Sequence, residues 1–368
     1  AERQGPADGR TIPWRPRRQG TGRPELDERI VDLLVASGAP VDRWDQLFEI
    51  LVTAMGLGRD DVDRLDLKIT STALREMRKA FAVFAPYHST PKVTVFGSAR
   101  ALPEDPLYRQ ARDVASQLAA AGWMVVTGGG PGIMAAGMEG AGRERSFGIS
   151  IRLPFEQSNA FLAGDPKQVE MKYFFTRKLM LLKESAGFTV LPGGFGTLDE
   201  ALELLTLVQT GKAQPCPIVL LDVAGGTYWQ AVERFMTDEV ARRGFIGPED
   251  RSLYRRTDDA REAAQEILGF YRNYHSLRFV GDRLVLRLRS APDERERLAL
   301  SEEFADICVE GGFEPSGPMD AEVSDGDVVH LPRLVFHFDR ASHGRLRQLI
   351  DRLNRLSSAP GRPSMPWK

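Results

Sequence analysis

Cysteine is nearly absent. Cys216 and Cys308 are the only two, far apart in the chain, which excludes a disulfide framework and a cysteine-based zinc site. Histidine is almost as scarce, and His88, His275, His330, His337 and His343 show no metal-ligand spacing. No segment approaches the roughly 18 consecutive apolar residues of a membrane span, and the N-terminal residues lack an apolar signal core. Neither sign of charge dominates. A net charge of −2 gives bulk electrostatics no argument for nucleic acid or a membrane as partner. A soluble protein of a reduced cytoplasm, without a metal, is expected.

What is present is ordinary globular material: 368 residues, 42% hydrophobic and 27% charged. Residues 1–24 carry six arginines against Glu2 and Asp8, with no apolar run, and read as a disordered basic tail. Residues 25–90 read as a helical extension. Leu26, Ile30, Leu33 and Leu34 recur at helical spacing, as do Trp44, Leu47, Leu51 and Met55, then Leu74, Met77, Phe81 and Phe84.

From residue 91 to 273 the texture changes to short apolar strands alternating with amphipathic helices. Strands are expected near 93–97, 123–127, 147–152, 187–191 and 217–222. Helices are expected near 106–121, 132–143, 173–185, 197–209, 227–242 and 259–272. This alternation predicts an α/β class, a Rossmann-like and mainly parallel sheet with helices on both faces. Such sheets bind ligands at the carboxyl ends of their strands. Residues 274–356 read as a small α+β unit of order ββαββα. Its hairpin turns at Gly281-Asp282, a helix covers 292–309, strands fall near 318–323 and 333–338, and a last helix covers 342–355. Residues 357–368 read as a frayed tail.

Three strand ends carry chemistry. The first strand stops in Gly97-Ser98. The second runs into Gly128-Gly129-Gly130-Pro131-Gly132 and a helix containing Met134, and the fourth into Pro192-Gly193-Gly194-Phe195-Gly196-Thr197 and another helix. Glycine lets backbone approach a ligand closely, and the N–H groups of the following helix favour an anion. Two such loops, taken as lying on neighbouring strand ends, suggest one phosphate held from two sides. The spacing is not that of a dinucleotide fingerprint, because the strand that would end in a ribose-binding carboxylate ends at Arg152. Nor is it a Walker A loop, since no Gly-Lys-Ser/Thr follows. Glu200 sits about one helical turn past Gly196, within reach of a ligand on that loop. Arg177, on an otherwise apolar helix start, calls for an anionic partner.

Pro192-Gly-Gly-Phe-Gly-Thr-Leu-Asp-Glu200, Arg177-Lys178 and the Gly128–Met134 element resemble the signature motifs of the LOG (Lonely Guy) family, nucleoside 5′-monophosphate phosphoribohydrolases once labelled lysine decarboxylases. Leu153–Gln157, Leu205–Lys212 and Tyr228-Trp229 resemble its longer bacterial branch, and the likeness spans about 92–272. The resemblance implies hydrolysis of the N-glycosidic bond of AMP or an N6-substituted AMP, with Arg177 and Glu200 as the catalytic pair. It also implies phosphate or substrate contacts from Gly97, Ser98, Gly128, Gly129, Gly130, Gly132, Met134, Lys178, Gly193, Gly194, Gly196 and Thr197. It implies a homodimer or a higher assembly of dimers, and no cofactor. The family also holds non-hydrolytic nucleotide carriers, so a binding carrier or sensor is the alternative.

Overall fold

The computed structural model describes residues 20–152 and 160–361. Most of the basic tail, the Leu153–Gln157 segment and residues 362–368 lie outside the described residues. The chain divides into two compact units, residues 1–75 and 76–368.

In the first unit, α1 (Pro24–Ser37) and α2 (Trp44–Arg59) bury Ile30, Leu34, Trp44 and Phe48 in a small core of their own. Helix α1 ends where Gly38 takes the left-handed conformation. Helix α3 (Arg64–Phe84) continues from the first unit into the second.

The second unit is built on a seven-stranded parallel sheet. Its strands are β1 (Lys92–Phe96), β2 (Met124–Thr127), β3 (Ser146–Ile151), β4 (Gln168–Met171), β5 (Gly187–Val190), β6 (Ile218–Leu221) and β7 (Arg255–Thr257). Their spatial order is β4-β3-β2-β1-β5-β6-β7. Between them run α4 (Pro106–Ala120), α5 (Ile133–Ala141), α6 (Phe174–Lys183), α7 (Phe195–Gln209), α8 (Tyr228–Phe235, continued by a π-turn over Met236–Ala241) and α9 (Ala260–Phe270). The strands are buried on both faces, so alternate residues feed two cores. Val93, Val95, Val125, Val219 and Leu221 pack with α4, α5 and α9. Phe96, Met124, Val126, Phe188 and Leu220 pack with α6, α7, α8 and the end of α3. Strands β4 and β7 escape a reading based on apolar runs because both are edges. Only Val169 and Met171 of β4 are buried, and β7 is Arg-Arg-Thr.

A second, four-stranded antiparallel sheet has the order β10-β11-β9-β8, with β8 (Tyr274–Val280), β9 (Arg283–Leu288), β10 (Glu314–Ser316) and β11 (Arg333–Phe336). Helices α10 (Glu294–Glu303), α11 (Asp320–Asp325) and α12 (His343–Leu353) complete it. Leu284, Leu286, Leu334 and Phe336 share one continuous core with α4 and α9. The strand expected near 318–323 is not there. Asp320–Asp325 form helix α11 instead, and the strand lies at Glu314–Ser316. Charge decides it: the Glu322 carboxylate accepts the Met319 N–H and meets Arg287 and Arg333, a three-way pairing that a helical turn permits.

The order of the first sheet sets the site. The chain builds outward from β1 through β2, β3 and β4, then returns to lay β5 on the other side of β1. The switch point therefore lies between β1 and β5, and a crevice opens at their carboxyl ends.

Candidate functional site

A cavity of about 670 Å³ fills that crevice. Among the described residues, it is lined by the loops after β1, β2 and β5, by the end of β3 and by the starts of α5, α6, α7 and α8. The two glycine loops do not stand on neighbouring strands, because β1 lies between β2 and β5. The loop after β1 joins them instead. Ser98 donates its N–H to Pro192 O (3.1 Å) and accepts the Ile133 N–H on its own carbonyl (3.0 Å).

Of the residues singled out from sequence, Gly97, Ser98, Gly128, Gly129, Gly130, Met134, Arg177, Gly193, Gly194, Gly196, Thr197 and Glu200 line the cavity. Gly132 and Lys178 do not. Gly132 has φ +67°, and a Cβ there would collide with the backbone of Ser98 and Ala99, so it serves the junction of the loops. Gly128 is glycine for another reason: a Cβ would occupy the place of the Arg177 guanidinium. Lys178 is engaged elsewhere, its ammonium 2.6 Å from both Asp199 and Glu203. Burial pulls its pKa down, but the hydrogen bonds to those carboxylates outweigh it and hold the pKa above the ordinary lysine value.

Arg177 reaches the cavity from the first turn of α6. Its Nε donates to Ile149 O at 2.8 Å, and a guanidinium nitrogen lies 3.5 Å from Gly128 O. Another nitrogen stands 3.9 Å from Glu200 Oε1, beyond hydrogen-bond range but within strong attraction. Both side chains are largely buried, at 13% and 14% exposure. Burial pushes the Glu200 carboxyl up to about 7. Arg177 and Lys178 pull against the rise, while Asp199 and Glu203 add to it. A carboxyl poised near neutrality beside a fixed guanidinium, both lining a concave cavity, is the kind of pair found where proton transfer or charge stabilisation is done.

Further residues line the cavity beyond the candidate site residues of the sequence. Arg100, Ser150, Ile151, Phe174, Phe195 and Tyr228 all face the cavity. Phe195 lies inside the glycine motif, and Tyr228 in a pair already matched to the family. Ser150 and Arg100 carried no local signal beyond sitting near strand ends. Among the described residues, no group of three or more His, Cys, Asp or Glu is placed to hold a metal ion.

Comparison with known proteins bears on the same segment. The family described as "Possible lysine decarboxylase" matches residues 130–267. A probable cytokinin riboside 5′-monophosphate phosphoribohydrolase of Arabidopsis thaliana is 33% identical over 154 residues, covering 41% of this chain and 74% of that protein. One from Oryza sativa subsp. japonica is 32% identical over 165 residues, covering 44% and 75%. Among solved structures, the molybdenum cofactor binding protein of Rippkaea orientalis aligns with TM-score 0.33 at 18% identity, over 48% of this chain and 94% of that one. The molybdenum cofactor carrier protein of Chlamydomonas reinhardtii aligns with TM-score 0.32 at 22% identity, over the same shares.

Proposed function

The chain belongs to the LOG (Lonely Guy) family, and from that premise we propose that it hydrolyses the N-glycosidic bond of a purine nucleoside 5′-monophosphate, AMP or an N6-substituted AMP, releasing the base and ribose 5-phosphate. The observation that carries the reading is the Arg177–Glu200 pair, held at the switch-point cavity between two glycine loops. Breaking the bond places positive charge on the ribose ring in the transition state. Glu200, ionised, offsets that charge or takes the proton of the attacking water. Arg177 is fixed by backbone carbonyls, so it does not reorganise as the reaction proceeds, and it orients the substrate beside the carboxylate. Loop N–H groups and the Thr197 hydroxyl hold the 5′-phosphate at the α7 N-terminus.

The same reading includes assembly as a homodimer or as dimers of dimers. Phe174, Phe175 and Leu179 on α6 and Leu202 on α7 are large apolar side chains left exposed on the helices that carry the site.

The test is turnover. Wild type should release adenine and ribose 5-phosphate from AMP, and Glu200→Gln should bind AMP while losing about 10²-fold or more in kcat. Wild type that binds nucleoside monophosphates tightly and cleaves none would make the chain a carrier.

A further inference from the structure

We infer that Arg100, on the loop after β1, supplies the cationic contact to the substrate's phosphate, an assignment that rests on the phosphate-bearing substrate proposed above. The case begins with charge. Among the described residues, the charged side chains lining the cavity are Arg100, Arg177 and Glu200. Arg177 is bonded to Ile149 O, approaches Gly128 O and faces Glu200, so its guanidinium is already engaged. Arg100 is the remainder. It is exposed, and among the described residues no ion pair or side-chain hydrogen bond engages its guanidinium.

The other cations nearby are occupied. Lys178 is clamped between Asp199 and Glu203 and lies off the cavity wall, and Arg152 is bonded to Glu170. A phosphate monoester brings a charge of about −1.5 to −2 near neutral pH. Loop N–H groups supply hydrogen bonds to it but no net charge, and Arg100 supplies the charge.

Position agrees with charge. The loop bearing Arg100 is pinned to both glycine loops, through Ser98 N–H to Pro192 O and Ile133 N–H to Ser98 O. The Arg100 N–H itself donates to Ser98 Oγ at 3.1 Å, which fixes the turn from which the side chain leaves. Arg100 thus departs from the point where the loops after β1, β2 and β5 converge. An arginine fork there suits two non-bridging oxygens of a phosphate monoester.

Calorimetric binding of AMP and adenosine to wild type, Arg100→Gln and Arg100→Lys tests this, with AMP hydrolysis measured on the same samples. Wild type should favour AMP over adenosine. Arg100→Gln should lose roughly ten- to hundredfold in AMP affinity with adenosine affinity moved less than twofold, and Arg100→Lys should recover part of the loss. In the hydrolysis assay the deficit should appear mainly in KM. An Arg100→Gln protein that keeps the wild-type AMP-over-adenosine ratio overturns the assignment, even if wild type is an active hydrolase. Equal wild-type affinity for AMP and adenosine overturns it as well. If wild type cleaves nothing while Arg100→Gln loses the preference for AMP, the assignment stands and the hydrolase reading falls.

Discussion

Tyr228 donates its phenolic hydrogen to the carbonyl oxygen of Gly193 across 2.8 Å, tying the start of α8 to the glycine loop that opens α7. The loop's geometry is therefore set from outside its own sequence. Removing the hydroxyl by Tyr228→Phe keeps the ring and leaves the Gly193 carbonyl without this donor. The expected cost is about 0.5–1.5 kcal/mol of stability, read by denaturant melts. KM for AMP should also rise several-fold as the loop loses its fixed position. An unchanged KM alongside lowered stability would make the bond purely structural.

Glu200 gives two expectations for pH. Its folded pKa of about 7 lies above the ordinary value of 4.5, so the folded protein binds more protons than the unfolded chain between those limits. Folding stability therefore falls as pH rises from about 4.5 to 7, then levels off. Glu200→Gln removes that loss, so its melting temperature relative to wild type should climb between pH 5 and pH 8. If catalysis needs the carboxylate, wild-type kcat/KM should rise with pH through an apparent pKa near 7. The substrate phosphate titrates near 6 and supplies its own limb, so the Glu200→Gln profile is the baseline. A wild-type profile that matches this baseline in shape would remove Glu200 from the chemistry.

Lys178 reaches Asp199 and Glu203 rather than the cavity, so its influence on the reaction runs through Glu200. Lys178→Met should leave two unpaired carboxylates beside Glu200 and move the acid limb of the rate profile upward in pH. AMP affinity should change little. A large fall in AMP affinity with the limb unmoved would restore Lys178 to the phosphate site.

Assembly is tested on the α6 face, where Phe175 and Leu179 lie one helical turn apart and exposed. Leu179→Glu should convert a dimer into a species near the 40.9 kDa chain mass, as read by light scattering at micromolar concentration. A wild type that is already a monomer refutes the proposed dimer.

The sequence by itself determined the α/β class, the helices that alternate with β1, β2, β3, β5 and β6, and the loops where glycine gathers. Each is a local matter. Valine-rich runs such as Val93–Val95 and Ile218–Leu221 are buried on both faces, so their pattern shows without a partner. The edge strands β4 and β7 lack that signature because a neighbour lies on one side only. Helix α11, where the local pattern suggests a strand, is hidden for a related reason: it is stabilised by Arg287 and Arg333, which arrive from β9 and β11.

The site divides in the same way. Arg177, Glu200 and most of the glycines were legible because each sits inside a short motif whose spacing carries its geometry. Tertiary structure decided the rest. The strand order placed β1 between the two glycine loops, and so brought Ser98 and Arg100 to their junction. It turned Lys178, the next residue after Arg177, away from the cavity, because adjacent positions on a helix point about 100° apart and Asp199 and Glu203 waited on that side. It also buried Glu200 enough to bring its carboxyl near neutrality. Spacing along a chain fixes what one element can present. Which charges meet across elements is fixed only when the sheet is assembled.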